Sequence, residues 1–218
     1  MEKSRPYIIL SAAISLDGKI ATRMGDSKLS SKRDQIRLHK LRSKVDAILI
    51  GKNTINVDDP LLTVRYVKGK NPVRIILDSQ GSISVNSKIL QTCNTVPTII
   101  VVSKKINKLN INKLQKFSAE IITSGTNSIN LKSLMTHLTK RKIKTILVEG
   151  GGTINWEFIK NNLFDEIIIT VAPFLIGGTD AISFVQGKGF DKILKSPRLR
   201  LNAIKRLENY LVLHYTKV

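Results

Sequence analysis

Cysteine occurs once in these 218 residues, at Cys93. One thiol closes no intrachain disulfide and builds no cysteine-based zinc cage. Cys93 has no motif around it and reads as an inert loop residue. Aromatic residues make up only 5%. Nucleic-acid platforms interleave aromatics with positive charge, and the basic stretches KKINKLNINKLQK and KRKIK contain none. No apolar run approaches the roughly 20 residues needed to span a bilayer. The opening MEKSRPYIILSAAISLDGK reads as a first strand entering a polar loop, not as a signal peptide, so the cytoplasm is the expected compartment. Acidic residues are scarce: 16 Asp and Glu stand against 36 Lys and Arg, a net charge of +20. With the basic residues scattered, that field suits small phosphorylated ligands better than nucleic acid. The three histidines, His39, His137 and His214, show no ligand spacing, and no metal is expected.

What is present is a run of apolar, β-branched segments: YIILSAAI (7–14), AILIG (47–51), RIILD (74–78), TIIVVS (98–103), EIITS (120–124), TILVEG (145–150), EIIITVAPFLIG (166–177) and YLVLHYT (210–216). Most are continuous rather than alternating, the pattern of strands buried on both faces. Helical spacing separates several of them. SSKRDQIRLHKLRSK with the valine that follows it offers Ile36, Leu38, Leu41 and Val45 to an inner face, INLKSLMTHLTKR offers Leu131, Leu134, Met135 and Leu138, and GTINWEFIKNNL offers Ile154, Phe158 and Ile159. Strand, helix, strand in repetition predicts an α/β fold with a mainly parallel central sheet flanked by helices. No helix is evident between EIIITVAPFLIGG and the final YLVLHYT, which predicts an antiparallel C-terminal edge. One domain over residues 1–218 is expected.

Three polar constellations follow strand ends, where open α/β sheets bind ligands. In ILVEGGGTINWEFI, Gly150, Gly151 and Gly152 lie between a strand and a helix. They admit either a close-lying pyrophosphate at a helix N-terminus or simply a tight turn with positive φ. Glu149 before them contacts a ligand or is solvated, Thr153 is placed to cap the helix or meet a phosphate, and Trp156 reads as packing, with a subunit interface as one setting. In SKVDAILIGKNTINVDDPLLTVR, a polar loop carries Thr54, Asp58 and Asp59, one of whose carboxylates can cap the turn before Pro60. Arg65 is either a surface residue or a phosphate ligand. In SLDGKIA, Asp17-Gly18 suggests a turn, and Lys19 a group able to hold an anion or move a proton. Lys104 and Lys105 are either solvated or set to meet a 2′-phosphate.

These blocks, with DSKLS, LHKLRSKVDAILIG, NPVRIILDS and FDEIIITVAPFLIGG, occur in an order that resembles the riboflavin-pathway reductase family, its stand-alone archaeal branch most of all. Phe164 stands where many members have valine. The resemblance spans roughly Tyr7 to the end. It implies a dihydrofolate-reductase-like fold, a homodimer, and NADPH as cofactor with NADH an open alternative. The reaction it implies reduces the ribosyl group of 2,5-diamino-6-ribosylamino-4(3H)-pyrimidinone 5′-phosphate to a ribitylamino group. Carried over by position, Ala21, Thr54, Asp58, Ser79, Gln80, Gly81, Ser82, Gly150, Gly151, Gly152 and Thr153 would contact the cofactor. Ser27, Arg42, Leu62, Arg65 and Glu149 would contact the substrate, with Lys19 and Glu149 in catalytic roles. Two further readings stay open: reduction of the deaminated pyrimidine or of a pterin such as dihydrofolate on the same fold, and a basic nucleic-acid-binding protein without catalysis.

Overall fold

A computed structural model describes residues 5–218. In chain order the elements are β1 (Tyr7–Ile14), β2 (Lys19–Ala21), α1 (Lys32–Arg42), β3 (Ala47–Gly51), α2 (Lys52–Asp58), β4 (Val73–Leu77), α3 (Lys88–Gln91), β5 (Thr98–Val102), α4 (Lys108–Leu114) and β6 (Glu120–Thr123). They continue with α5 (Leu131–Lys140), β7 (Thr145–Val148), α6 (Gly152–Lys160), β8 (Glu166–Val171), β9 (Ile182–Ser183), a short 3₁₀ turn, β10 (Leu199–Leu207) and β11 (Tyr210–Lys217). The chain divides into two compact units. The first is His39–Leu147 with the segment ending at Tyr7, and the second joins Ile8–Leu38 to Val148–Val218.

In the first unit the strand order is β7-β3-β4-β5-β6. The pairings from β3 through β6 are all parallel. Every residue of β3 and β5 is buried, as the continuous apolar runs require for strands covered on both faces. Helix α5 buries Leu131, Leu134, Met135 and Leu138, the stripe its spacing predicts, and begins where the Asn130 side chain accepts from the Ser133 N–H at 3.0 Å. In the second unit the order is β10-β11-β8-β1. Strands β1 and β8 are parallel, whereas β11 runs antiparallel to both β8 and β10. The α/β class, the mainly parallel sheet and the antiparallel C-terminal edge are as the sequence predicts.

The structure departs from the sequence pattern at four places. The run 166–177 is strand only to Val171, because Pro173 donates no ladder bond and Gly177 and Gly178 turn with φ of 65° and 77°. Residues 52–58, expected as loop, form α2. Strand β10, which was not among the apolar runs read from the sequence, is exposed along nearly its whole length. Finally, the buried positions of α1 are Asp34, His39 and Arg42, while Ile36, Leu38 and Leu41 stay partly exposed. This polar inner face is satisfied by partners. Asp34 accepts from Ser30 Oγ at 2.8 Å, Arg37 Nε at 2.7 Å and Thr170 Oγ1 at 2.7 Å, tying the start of α1 to β8.

Arg74, at the second position of β4, is fully buried. Its guanidinium donates to Thr98 Oγ1, Thr92 Oγ1 and the carbonyls of Leu61, Ile89 and Val96 over 2.7–3.3 Å. Burial pushes its pKa down to about 10, with the neighbouring Cys93 acting weakly in the other direction. The planar fork serves partners that no ammonium can reach together. Arg74→Lys is therefore expected to lower the unfolding free energy by about 2–4 kcal/mol, because several buried acceptors lose their donors. Urea denaturation measures this, and a loss under about 0.5 kcal/mol, the size of an ordinary surface change, would contradict it.

Candidate functional site

In the first unit two loops at strand ends carry the residues singled out from sequence. After β4 the chain folds back around the Asp78 carboxylate. Oδ2 accepts from the Ile83 N–H at 2.9 Å, and Oδ1 from the Gln80 N–H and Ser82 Oγ at 3.4 and 3.3 Å. Gly81, with φ of 61°, closes the turn. The carbonyls of this turn are held from outside: Ser79 O accepts from Ser103 N and Oγ, Gln80 O from Asn110 Nδ2, and Ile83 O from Lys113 Nζ. Helix α2 is fastened to the same turn through Lys52 Nζ and Ser82 Oγ, 2.8 Å apart. The structure thus brings Ser79, Gln80, Gly81 and Ser82 together with the helix that bears Thr54 and Asp58. The second of the two adjacent carboxylates, Asp59, has a structural role. It ends α2 in the left-handed region (φ 39°) and accepts from the Lys88 N–H at 2.8 Å, at the start of α3.

The second loop is Leu61–Tyr66, which has no regular ladder. Its peptide groups are held by side chains: Leu61 O by Arg74 Nη1, Thr63 O by Arg42 Nη1 at 3.1 Å, Val64 N–H by Asn71 Oδ1 at 2.8 Å, and Arg65 N–H by His39 Nδ1 at 2.8 Å. His39 Nδ1 accepts here, so that nitrogen carries no proton. Leu62 is buried at φ 50°, a conformation costly for a branched residue that persists because its surroundings hold it. Arg42 is buried, whereas Arg65 is exposed, with Nη1 on Thr63 Oγ1 and its guanidinium over the Tyr66 ring. Arg42, Leu62 and Arg65 are therefore one cluster. His39, Asp78 and Arg74 carry this geometry. Sequence reading set His39 aside as a metal ligand and gave the other two no role, since a single polar residue at a strand end or in a helix leaves no spacing signal.

In the second unit the three glycines separate into three requirements. Gly150 turns at φ 90° and its peptide bond to Gly151 is cis. Gly151 is the extended N-cap residue of α6. At Gly152 a Cβ would collide with the Ser183 carbonyl oxygen. Thr153, read as a cap or a phosphate contact, is not the cap: it lies exposed in the first helical turn, and α6 begins with no side-chain cap and no acidic residue in that turn. Glu149 follows β7 directly and is half-buried.

Residues 182–190 form a strap along α6. Gln186 N–H donates to Gly152 O at 3.1 Å, Asn155 Nδ2 donates to Phe184 O at 2.8 Å, and Gly187 and Phe190 lie against Trp156, which therefore packs within its own chain. The other edge of the strap holds the hairpin of Lys19. Phe184 N–H donates to Gly18 O, Lys19 pairs with Ser183, and Lys19 Nζ donates to Ser183 Oγ at 3.1 Å. Ala21 is buried at the end of β2, beside Ile182. Ser27 is exposed in the following loop, its carbonyl accepting from Leu29 N–H. The sequence pattern did not show the strap, whose polar, glycine-punctuated residues have no periodicity.

Asp17 anchors the next loop. Its carboxylate accepts from Ser15 Oγ at 2.6 Å and from the N–H groups of Ile176 and Gly177 at 3.0 and 2.7 Å. The Ser15 hydroxyl, then these backbone donors, hold its pKa well below the usual carboxylate range. A folded-state pKa below the unfolded value contributes stability that is complete above the ordinary carboxylate range and lost as pH falls beneath it. Protection of the Ile176 and Gly177 amides from hydrogen exchange should thus be constant from pH 5 to 8 and still present near pH 4, with Asp17→Ala removing it at every pH. Protection that faded between pH 7 and 5 would contradict this.

The family model described as the RibD C-terminal domain matches residues 6–213. A 2,5-diamino-6-ribosylamino-4(3H)-pyrimidinone 5′-phosphate reductase of Methanothermobacter thermautotrophicus is 39% identical over 97% of this chain and 98% of its own. One of the same name from Aquifex aeolicus is 39% identical over 91% of each. Among solved structures, a Thermotoga maritima deaminase/reductase superposes with a TM-score of 0.81 at 25% identity, covering 99% of this chain, which spans 58% of that one. A riboflavin biosynthesis reductase of Saccharomyces cerevisiae superposes with a TM-score of 0.75 at 20% identity over the whole of this chain and 92% of that one. With the model matching nearly end to end and both reductases aligned over nearly their full length, this chain belongs to the RibD C-terminal domain family.

Proposed function

We propose that this chain is an oxidoreductase of riboflavin biosynthesis, reducing the ribosyl group of 2,5-diamino-6-ribosylamino-4(3H)-pyrimidinone 5′-phosphate to its ribitylamino form with NADPH. Two reductases of that name align at 39% identity across nearly their whole lengths. The observation in the structure that carries the reading is the Ser183 framework. It sets the Lys19 ammonium 3.1 Å from Ser183 Oγ, on the strap whose backbone lies directly on Gly152. A basic group and a glycine turn are thereby fixed in one unit.

The residues present fit a dinucleotide. Helix α6 offers an uncapped N-terminus without a first-turn acid, and Gly150 turns ahead of it with φ 90° and no side chain. On this unit Gly150–Thr153 and Ala21 are assigned to the cofactor. On the first unit Thr54, Asp58 and the turn Ser79–Ser82 are assigned to it. Lys104 and Lys105 follow Ser103, which is bonded to Ser79, so both lie beside that turn and suit a 2′-phosphate. Arg42, Leu62 and Arg65, with Ser27 and Glu149, are assigned to the phosphorylated pyrimidine.

Bound NADPH supplies a hydride to C1′ of the ribose once its ring has opened to the imine. The ring oxygen must gain a proton as the chain opens and is reduced. Lys19 and Glu149 are placed in that role, holding the open chain and moving the proton. One cysteine in these residues excludes the paired-cysteine zinc site of a deaminase from them. We further assign a homodimer and a cytoplasmic setting. The exposed β10 presents Leu199, Leu201 and Ile204 on an open edge that a second copy would cover. No helix of the described residues is long and apolar enough to cross a membrane.

The test is NADPH consumption with the diamino-pyrimidinone phosphate and its deaminated counterpart offered separately. Turnover of the first alone is expected, and Lys19→Met should lower kcat by about 100-fold or more. Turnover of the deaminated substrate alone would move the enzyme to the later step. Turnover of neither, no NADPH-induced melting shift and salt-sensitive binding to RNA would replace the enzyme with a nucleic-acid-binding protein. In the same assay, Lys104→Ala with Lys105→Ala should raise KM for NADPH about tenfold, roughly 1.4 kcal/mol, and leave that for NADH unchanged. Equal effects on the two cofactors would remove the lysines from the 2′-phosphate.

A further inference from the structure

Asn155 lies in the first half of α6 and is 1% exposed. Its Nδ2 donates to the Phe184 carbonyl at 2.8 Å, which fixes the amide's orientation, since a flipped side chain would set oxygen against oxygen. Oδ1 then meets no donor among the described residues. The amide sits beneath the glycine turn, with Nδ2 and Oδ1 3.6 and 3.8 Å from where a Cβ of Gly150 would stand. A buried amide oxygen without a donor costs about 1–3 kcal/mol, as much as or more than the roughly 1 kcal/mol that one neutral hydrogen bond returns. For stability alone, a leucine of similar volume would serve better. The amide is explained by what it holds.

What it holds is the strap. Asn155 N–H donates to Gly151 O, and its side chain fixes Phe184, whose own N–H donates to Gly18 O. One residue earlier, Ser183 pairs with Lys19 and accepts from its Nζ. A continuous path of short bonds thus runs from the glycine turn through Asn155 and the strap to the Lys19 ammonium, all within the second unit. We propose that Asn155 is a positioning residue for the reduction: its bond to Phe184 seats the strap on α6 and so sets where Lys19 Nζ stands relative to the glycine turn. This rests on the functional reading given above for Lys19 and that turn.

Asn155→Asp tests it with little change of shape. Ionised, the new carboxylate has no donor for Phe184 O, whereas protonated it has one. The variant's kcat should therefore follow a single deprotonation that the wild type lacks. It should lie within about twofold of wild type on the acid side and at least tenfold below it on the alkaline side, with KM for NADPH held within about threefold. Independently of turnover, NADPH alone should slow amide hydrogen exchange at Phe184 and Gln186 in the wild type but not in the ionised variant. Should the variant fail to fold, Ser183→Ala takes over. Removing the hydroxyl that accepts from Lys19 should lower kcat about tenfold at an unchanged Tm. Wild-type kcat at every pH in Asn155→Asp, with only a lower Tm, or wild-type kcat in Ser183→Ala where that variant carries the test, makes Asn155 a packing residue and overturns the proposal. A wild-type enzyme that consumes no NADPH with either pyrimidine overturns the functional reading first, and this inference with it.

Discussion

A peptide group taken out of water needs a hydrogen-bond partner, and a loop has no ladder to supply one. Two segments that carry candidate ligand-facing residues, Leu61–Tyr66 and Ser79–Ser82, are such loops, and so are residues 176–177 and the strap beside α6. Each is held by a side chain that reaches into it. Arg74, Arg42, Asn71 and His39 hold Leu61–Tyr66, Asp78 gathers residues 79–83, Asp17 gathers 176–177, and Asn155 holds Phe184. In these loops polar side chains are committed to backbone groups. That choice gives irregular segments the fixed shape that ligand recognition requires.

The glycine run shows the same economy with the opposite means. There the requirement is absence: of a side chain where Gly152 meets the Ser183 carbonyl, and of a Cβ where Gly150 turns left-handed. A close backbone approach brings the strap onto α6, and the strap in turn carries the Lys19 hairpin. A local steric fact at one residue thus becomes a placement of a charged group contributed by a distant part of the sequence.

How much of this the chain disclosed beforehand varies with the kind of signal. Strands such as AILIG and TIIVV were legible because burial on both faces writes a continuous apolar run, and α5 because its stripe has the helical period. The mainly parallel sheet and antiparallel edge followed from their order. The polar inner face of α1 was not legible, since Asp34, His39 and Arg42 mimic a solvated face until their partners are seen. Helix α2 was hidden because KNTINVD continues β3 without a break and buries only Ile55. Strand β10 was passed over because its apolar residues, Leu199, Leu201 and Ile204, are interrupted by Arg200, Asn202, Lys205 and Arg206. Of the candidate residues, the glycines and Lys19 stood out by type and place. Arg42 and Leu62 came only with the family pattern, as their roles depend on a loop held by residues far away in sequence. Of the two readings open for Thr153, the cap falls away because glycine can hold the N-cap position with no side chain at all.

Arg74 carries a full charge, yet the acceptors that surround it are hydroxyls and carbonyls, with no carboxylate among the hydrogen bonds described. Attraction between exposed opposite charges, such as Arg33 and Glu208 at 3.0 Å, fades as mobile ions gather around both partners. A buried cation among fixed dipoles is shielded from those ions. The carbonyl of Leu61 accordingly stays anchored in concentrated potassium or sodium solution, where much of this heavily basic surface has lost its long-range field.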